Sequence, residues 1–194
     1  AKPDGYTLLA SYSMYHVGNP SMFSGLRWNA ESFKPVGMVA VAPDVVVVHP
    51  SLPVTSLKEL VEYARKNPGK LNYASQGSGS IPHVGTELFK QMNDVDMVHV
   101  PYKGSGPAIQ DVLSGQVQLF VTTPPSVLGH IQQGKLRAIA VASDTRHPLL
   151  PDVPTSVEQG MDFKLDAWVA LFAPAGTPDE IVAKLSEALA SSLD

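Results

Sequence analysis

The chain has 194 residues, 44% of them hydrophobic and 16% charged, with no cysteine and a formal net charge of −4. That balance gives enough apolar mass for a core and excludes a disordered chain; the acidic excess lacks the basic footprint of a nucleic-acid or anionic-membrane binder. Without cysteine there are no disulfides, thiolate metal sites or cysteine nucleophile, and the longest β-branched run, 45–48, is far shorter than the roughly 18 residues of a membrane span.

The opening Ala1-Lys2-Pro3-Asp4-Gly5 is neither an initiator Met nor a signal peptide, and residues 190–194 stop inside a helical pattern. Both ends are expected to belong to a longer chain. A strand is expected at 6–10, then β-branched runs at 36–42 and 45–49, parted only by Pro43 and Asp44. Ser56 and Glu59 form a capping box for a helix whose Leu57, Leu60, Val61 and Ala64 share one face, and Asn67-Pro68-Gly69 stops it. A strand at 71–74 leads to a helix with Pro82 as its first residue. Strands follow at 97–100, 117–121, 136–142 and 168–172. Pro107 opens one intervening helix, Ser126 caps another, and 155–158 reads as a short capped turn. A last helix has Thr177 as cap, Pro178 at its first position and Ile181, Val182, Leu185 and Leu189 as its buried stripe.

This alternation predicts an α/β fold with mainly parallel sheets flanked by helices. Residues 51–141 carry the densest alternation and are expected to form one lobe. Residues 1–50 and 142–194 would pair into a discontinuous, incomplete second lobe, with crossings near 49–50 and 142–143.

Three loops that leave strands and enter helices share one chemistry. They are Ser75-Gln76-Gly77-Ser78-Gly79-Ser80-Ile81-Pro82-His83, Pro101-Tyr102-Lys103-Gly104-Ser105-Gly106-Pro107 and Thr122-Thr123-Pro124-Pro125-Ser126. In a parallel sheet they emerge at one edge, where open α/β sheets bind ligands. Each leads to a helix start whose first N–H groups lack partners and which carries about half a positive charge. Glycine lets the backbone approach a ligand and hydroxyls add donors, so a small anion can be held with little help from charged side chains. The plainer reading is that such loops merely cap and turn.

Enzyme motifs fail. Gly77 and Gly79 give a GxG, but the third glycine of the dinucleotide fingerprint falls on Pro82. No GK[ST], HExxH or serine flanked by glycines at −2 and +2 occurs. The histidines His16, His49, His83, His99, His130 and His147 are scattered, so no metal site is expected. Asp94, Asp96, Glu158 and Glu180 read as turn and cap residues without a nucleophile or base beside them. Trp168 is expected in the core or on a cleft wall.

Several blocks resemble the Bug (TctC-like) extracytoplasmic substrate-binding proteins of tripartite tricarboxylate transporters. They are Pro3-Asp4-Gly5-Tyr6-Thr7-Leu8-Leu9, Phe33-Lys34-Pro35-Val36, Asn67-Pro68-Gly69-Lys70-Leu71-Asn72-Tyr73-Ala74-Ser75, Gly77-Ser78-Gly79-Ser80 with His83, and above all His99-Val100-Pro101-Tyr102-Lys103-Gly104. Gly134-Lys135-Leu136-Arg137-Ala138, Leu150-Pro151-Asp152-Val153-Pro154-Thr155 and Ala173-Pro174-Ala175-Gly176-Thr177-Pro178 complete the series, so the likeness runs along the whole chain. It implies a two-lobed type II periplasmic-binding-protein architecture and a periplasmic, non-enzymatic monomer whose precursor has a signal peptide. Such a protein captures a small organic carboxylate in an interlobe cleft and delivers it to integral-membrane transporter subunits, with no cofactor, metal or nucleic acid. Carried onto this chain, the ligand-binding residues are Ser75, Gly77, Ser78, Gly79, Ser80 and His83, then Lys103, Gly104, Thr122 and Thr123, with Ser11 and Ser13 from the other lobe. In that family a Pro/Gly-rich loop ahead of the position of Ala1 supplies part of the cradle, and Thr122-Thr123-Pro124-Pro125 departs from the usual pattern. The effector-sensing domain of a transcription regulator, which can share this two-lobed design, is the alternative.

Overall fold

A computed structural model describes residues 1–193, which divide into two compact units. The first comprises Ala1–Val41 and Ala167–Asp194, the second Ala42–Asp166. In chain order the elements are β1 (Leu9–Tyr12), a π-helical turn at Met14–Gly18, α1 (Asn19–Met22), a 3-10 turn at Ala30–Ser32 and β2 (Phe33–Pro43). Then come β3 (Val45–Val48), α2 (Leu57–Lys66), β4 (Asn72–Ser75), α3 (Ile81–Asn93), β5 (Val98–Pro101) and α4 (Ser105–Leu113). The chain continues through β6 (Leu119–Thr122), α5 (Pro124–Gln132), β7 (Arg137–Val141), β8 (Asp166–Pro174) and α6 (Asp179–Leu193).

In the first unit β1, β8 and β2 form a three-stranded sheet in that order, with β1 antiparallel to β8 from Leu9↔Phe172 to Tyr12↔Val169. The first strand starts at Leu9 instead of at residue 6, where Tyr6 is 93% exposed. The α6 stripe of Ile181, Val182, Leu185 and Leu189 is half-buried where full burial was expected. Thr177 does not cap that helix: its buried Oγ1 has no hydrogen-bond partner among the described residues.

The second unit is a five-stranded sheet of order β5-β4-β6-β3-β7. β4 runs parallel to β5 and β6, whereas β3 runs antiparallel to β6 and β7, so the sheets are mixed and not mainly parallel. The reason lies in how the chain enters. Val45 pairs with Thr122 and Val141, at the edge where β6 and β7 end, so the entering strand must run against them. Its side chains alternate between faces. Val46 and Val48 pack with Leu57, Leu60, Tyr73, Phe89 and Phe163, while Val45 and Val47 pack with Ile109, Val112, Phe120 and Val127. Each fully buried side chain of the size of Leu57 or Phe120 stabilises the unit by about 1.5–3 kcal/mol.

The unit boundaries fall at 41/42 and 166/167, away from the expected 50/51 and 141/142. β3 is bonded on both sides by β6 and β7 and cannot leave this sheet. Residues 142–166 stay with it because the Ala142 amide donates to the Asp44 carbonyl at 2.8 Å and the Leu165 amide to the Ala142 carbonyl at 2.9 Å. Phe163 is 1% exposed in the same core. The turn at Thr155 is a true capping box: the Glu158 amide donates to Thr155 Oγ1 at 3.0 Å and the Thr155 amide to Glu158 Oε2 at 2.7 Å. At α2 the box is displaced by one residue. Ser56 Oγ accepts from the Glu59 amide at 3.2 Å, but Glu59 Oε2 accepts from the Thr55 amide at 2.6 Å.

Candidate functional site

Because β4, β5 and β6 are parallel neighbours, their following turns leave from one edge of the sheet and lead into the N-termini of α3, α4 and α5. The structure therefore brings Ser75, Gly77, Ser78, Gly79, Ser80, His83, Lys103, Gly104, Thr122 and Thr123 to a single edge of the second unit. Hydrogen bonds bind the first two turns together. The Tyr102 amide donates to the Ser75 carbonyl at 3.0 Å, and Gln76 Nε2 donates to Ser105 Oγ at 2.8 Å.

The first turn is built around Ser75, which is fully buried at the end of β4. Its Oγ accepts the Gly77 amide at 3.1 Å and lies 2.6 Å from His99 Nε2. Gly77 and Gly79 have φ of +128° and +82°, conformations that side-chain-bearing residues rarely adopt. Ser80, the residue before α3, donates both its amide, at 3.1 Å, and its Oγ, at 2.7 Å, to the Gly77 carbonyl. Ser78 is exposed at the tip. The Gly79 amide is occupied by the protein itself, donating to His83 Nδ1 at 3.0 Å.

The second turn places Gly104, with φ of +105°, immediately before α4, which starts at Ser105 and not at Pro107. Lys103 is exposed. Tyr102 anchors the turn by donating its hydroxyl to Asp111 Oδ2 at 2.7 Å; burial, then the Asp111 bond, pushes the phenol up to about 12. The third turn differs. Thr123 precedes α5, whose first two residues are Pro124 and Pro125, so no amide hydrogens are offered there. Ser126 is not the cap but lies in the first turn, donating its Oγ to the Thr123 carbonyl at 2.6 Å and sitting 3.2 Å from both Thr122 Oγ1 and Thr123 Oγ1. Amide donors therefore come from the starts of α3 and α4, and hydroxyls from the start of α5.

Beside the first turn lies a network of which only His83 belongs to the expected site. His99 is paired in register with Tyr73 across β5 and β4, and the rings stack at 5.0 Å. His83 also stacks on His99, at 4.0 Å and 20°. The Tyr73 hydroxyl donates to Glu87 Oε1 at 2.5 Å, and Lys90 Nζ reaches the same oxygen at 2.8 Å. Burial, with lesser contributions from His83 and Lys90, holds His99 below the ordinary imidazole value. Burial pushes Glu87 up, but its bonds from Lys90 and Tyr73 outweigh this and leave it below the usual carboxylate range. His99 and Tyr73 were legible only as members of a strand; their place beside Ser75 follows from the β4–β5 register.

Ser11 and Ser13 belong to the first unit. Ser11 lies within β1 with its Oγ 2.8 Å from His16 Nδ1; Ser13 precedes the π-helical turn, buried, with its Oγ unpartnered among the described residues. His16 stacks on Phe172 at 3.9 Å, and burial lowers its basicity. Trp168 is half-buried, 6.4 Å from the Phe172 ring. Among the described residues no three His, Asp or Glu side chains gather as a metal site, and no helix is long and apolar enough to cross a membrane.

Comparison with known proteins places this geometry. The family model described as "Tripartite tricarboxylate transporter family receptor" matches residues 1–194. A curated relative, Protein BugT of Bordetella pertussis, is 37% identical over 193 residues, covering 98% of this chain and 59% of its own length. The chain spans about three fifths of the curated relatives it matches, 60% and 59% of the first two. Among solved structures, an R. palustris protein with adipate aligns at a TM-score of 0.87 and 36% identity, covering 98% of this chain and 64% of the other. MatC from Rhodopseudomonas palustris, with bound malate, aligns at 0.85 and 34% identity, covering 100% and 67%. The architecture is thus that of the periplasmic binding proteins, and the chain belongs to the tripartite tricarboxylate transporter receptor family.

Proposed function

We propose that this chain is the ligand-holding part of an extracytoplasmic receptor that captures a small organic carboxylate and delivers it, as a monomer, to integral-membrane transporter subunits. It binds its cargo and does not transform it. One observation carries the reading: the turns after three parallel neighbouring strands, two of them opening helices whose first residues, Ile81 and Ser105, carry amide hydrogens, meet at one sheet edge. Backbone amides at helix starts hold an anion without needing a charged side chain; each helix end contributes about 0.3–1 kcal/mol, more where partly buried. The proposed contacts are the amides of Gly77, Ser78, Gly79 and Gly104, the hydroxyls of Ser75, Ser80, Thr122 and Thr123, the His83 ring, and Lys103 as the nearby cation. The relatives with adipate and malate bound make dicarboxylates the first candidates. Thermal-shift and calorimetric titration of the intact receptor against mono-, di- and tricarboxylates tests the proposal. A ligand present at a hundred times its Kd is expected to add about 2.7 kcal/mol of stability. A carboxylate panel without any shift would overturn it.

A further inference from the structure

The Gly79 amide sits in a turn suited to an anion, yet it already has an acceptor: His83 Nδ1 at 3.0 Å. An imidazole that accepts through Nδ1 carries its hydrogen on Nε2 and is uncharged; once protonated, both nitrogens are donors and Nδ1 can no longer accept. Occupation of this amide is therefore conditional on the proton count of one ring.

We propose that His83 is a proton-operated competitor at the anion cradle: its uncharged ring occupies the Gly79 amide, and a proton taken up from solvent with the ligand releases that amide and adds a positive charge beside it. The inference rests on the receptor reading and names how that same site is regulated. Its geometric support is the way the ring is held. His83 is half-buried, in the third residue of α3, and stacks at 4.0 Å on His99, whose Nε2 is 2.6 Å from Ser75 Oγ. Through Ser75, which accepts the Gly77 amide at 3.1 Å, the two imidazoles contact both glycines of the turn. The charged and titratable groups facing the pair are Glu87 and Lys90 from α3 and Tyr73 from β4. Glu87 favours a charge on the pair, whereas Lys90 opposes it, and two rings this close disfavour sharing two charges. An anion bound at the N-terminus of α3 adds the missing counter-charge. By linkage, a ligand that draws a proton onto the ring binds more tightly as pH falls through the imidazole range.

The test has one arm with ligand and one without. Calorimetry of adipate and malate binding to the intact receptor, in buffers of different ionisation heat, counts protons. The expected result is net proton uptake on binding and a Kd that tightens as pH falls. In His83→Gln the side-chain oxygen still accepts from Gly79 but takes no proton, so binding is expected to be weaker than wild type and to show a flat pH profile. Binding with no proton uptake, or an unchanged pH slope in His83→Gln, would overturn the inference while leaving the receptor reading intact. Absence of binding at every pH would instead overturn the receptor reading. The arm without ligand stands by itself: NMR titration of the free protein is expected to show the Gly79 amide losing exchange protection as the His83 ring protonates. A Gly79 amide that stays protected through that titration would refute the competitor role.

Discussion

Ser75→Ala is the most informative single change. Its Oγ is buried and serves the Gly77 amide at 3.1 Å and His99 Nε2 at 2.6 Å. Alanine fits the space but strands both partners in a site with little access for water. An unsatisfied buried polar group costs about 1–3 kcal/mol, and with two groups partly relaxing the expected loss is about 2–4 kcal/mol. For a chain of this size that is a fall of about 4–16 °C in Tm. The variant should also loosen the Gly77 turn, weakening carboxylate binding beyond the loss of one hydroxyl contact. Circular dichroism melts and urea titrations measure the first effect, calorimetry with adipate and malate the second. A Tm within about 1 °C of wild type would show that the hydroxyl does not hold the turn, and the account of the first loop would fail.

Gly79 has φ of +82°, so Gly79→Val introduces backbone strain of about 1–3 kcal/mol and a branched side chain where an anion would approach. It is expected to weaken carboxylate affinity at least tenfold, well beyond its effect on the denaturant midpoint; wild-type binding would contradict the placement. Asp44, 1% exposed between β2 and β3, has its carboxyl pushed up to about 7, first by burial and then by the charge of Asp166. The folded state then keeps a proton that the unfolded chain releases above its value of 3.8, so stability falls as pH rises from there to about 7 and levels off beyond. Asp44→Asn, which cannot ionise, is expected to match wild type at low pH and to exceed it above neutrality by up to about 4 kcal/mol. Parallel pH–stability curves for the two proteins would refute this.

Part of the structure is legible in local sequence signals. The capped turn at Thr155–Glu158 and the helix after Ser56 follow from neighbouring residues, and the common edge of the three Gly/Ser-rich turns follows from the strand–helix alternation. Other features depend mainly on distant partners. The run at 45–48 announces a buried strand, but its direction is set by where the chain enters opposite Thr122 and Val141. The unit boundaries depend on the backbone bonds that tie Ala142 to Asp44 and Leu165, which no composition change marks. His99 looked like one of several scattered histidines because only the register Tyr73↔His99 places it beside Ser75 and His83. Ser126 resembled a cap because of its type, but Pro124 and Pro125, with their fixed φ, start α5 earlier.

The central claim is that backbone amides and hydroxyls at the ends of β4, β5 and β6 hold a carboxylate. A crystal structure of the intact receptor with adipate or malate tests it most directly. The account predicts carboxylate oxygens within hydrogen-bond distance of amides at the starts of α3 and α4 and of the Ser75–Ser80 turn, with the Gly79 amide turned from His83 to the ligand. A ligand held instead by arginine or lysine side chains away from these turns would contradict it.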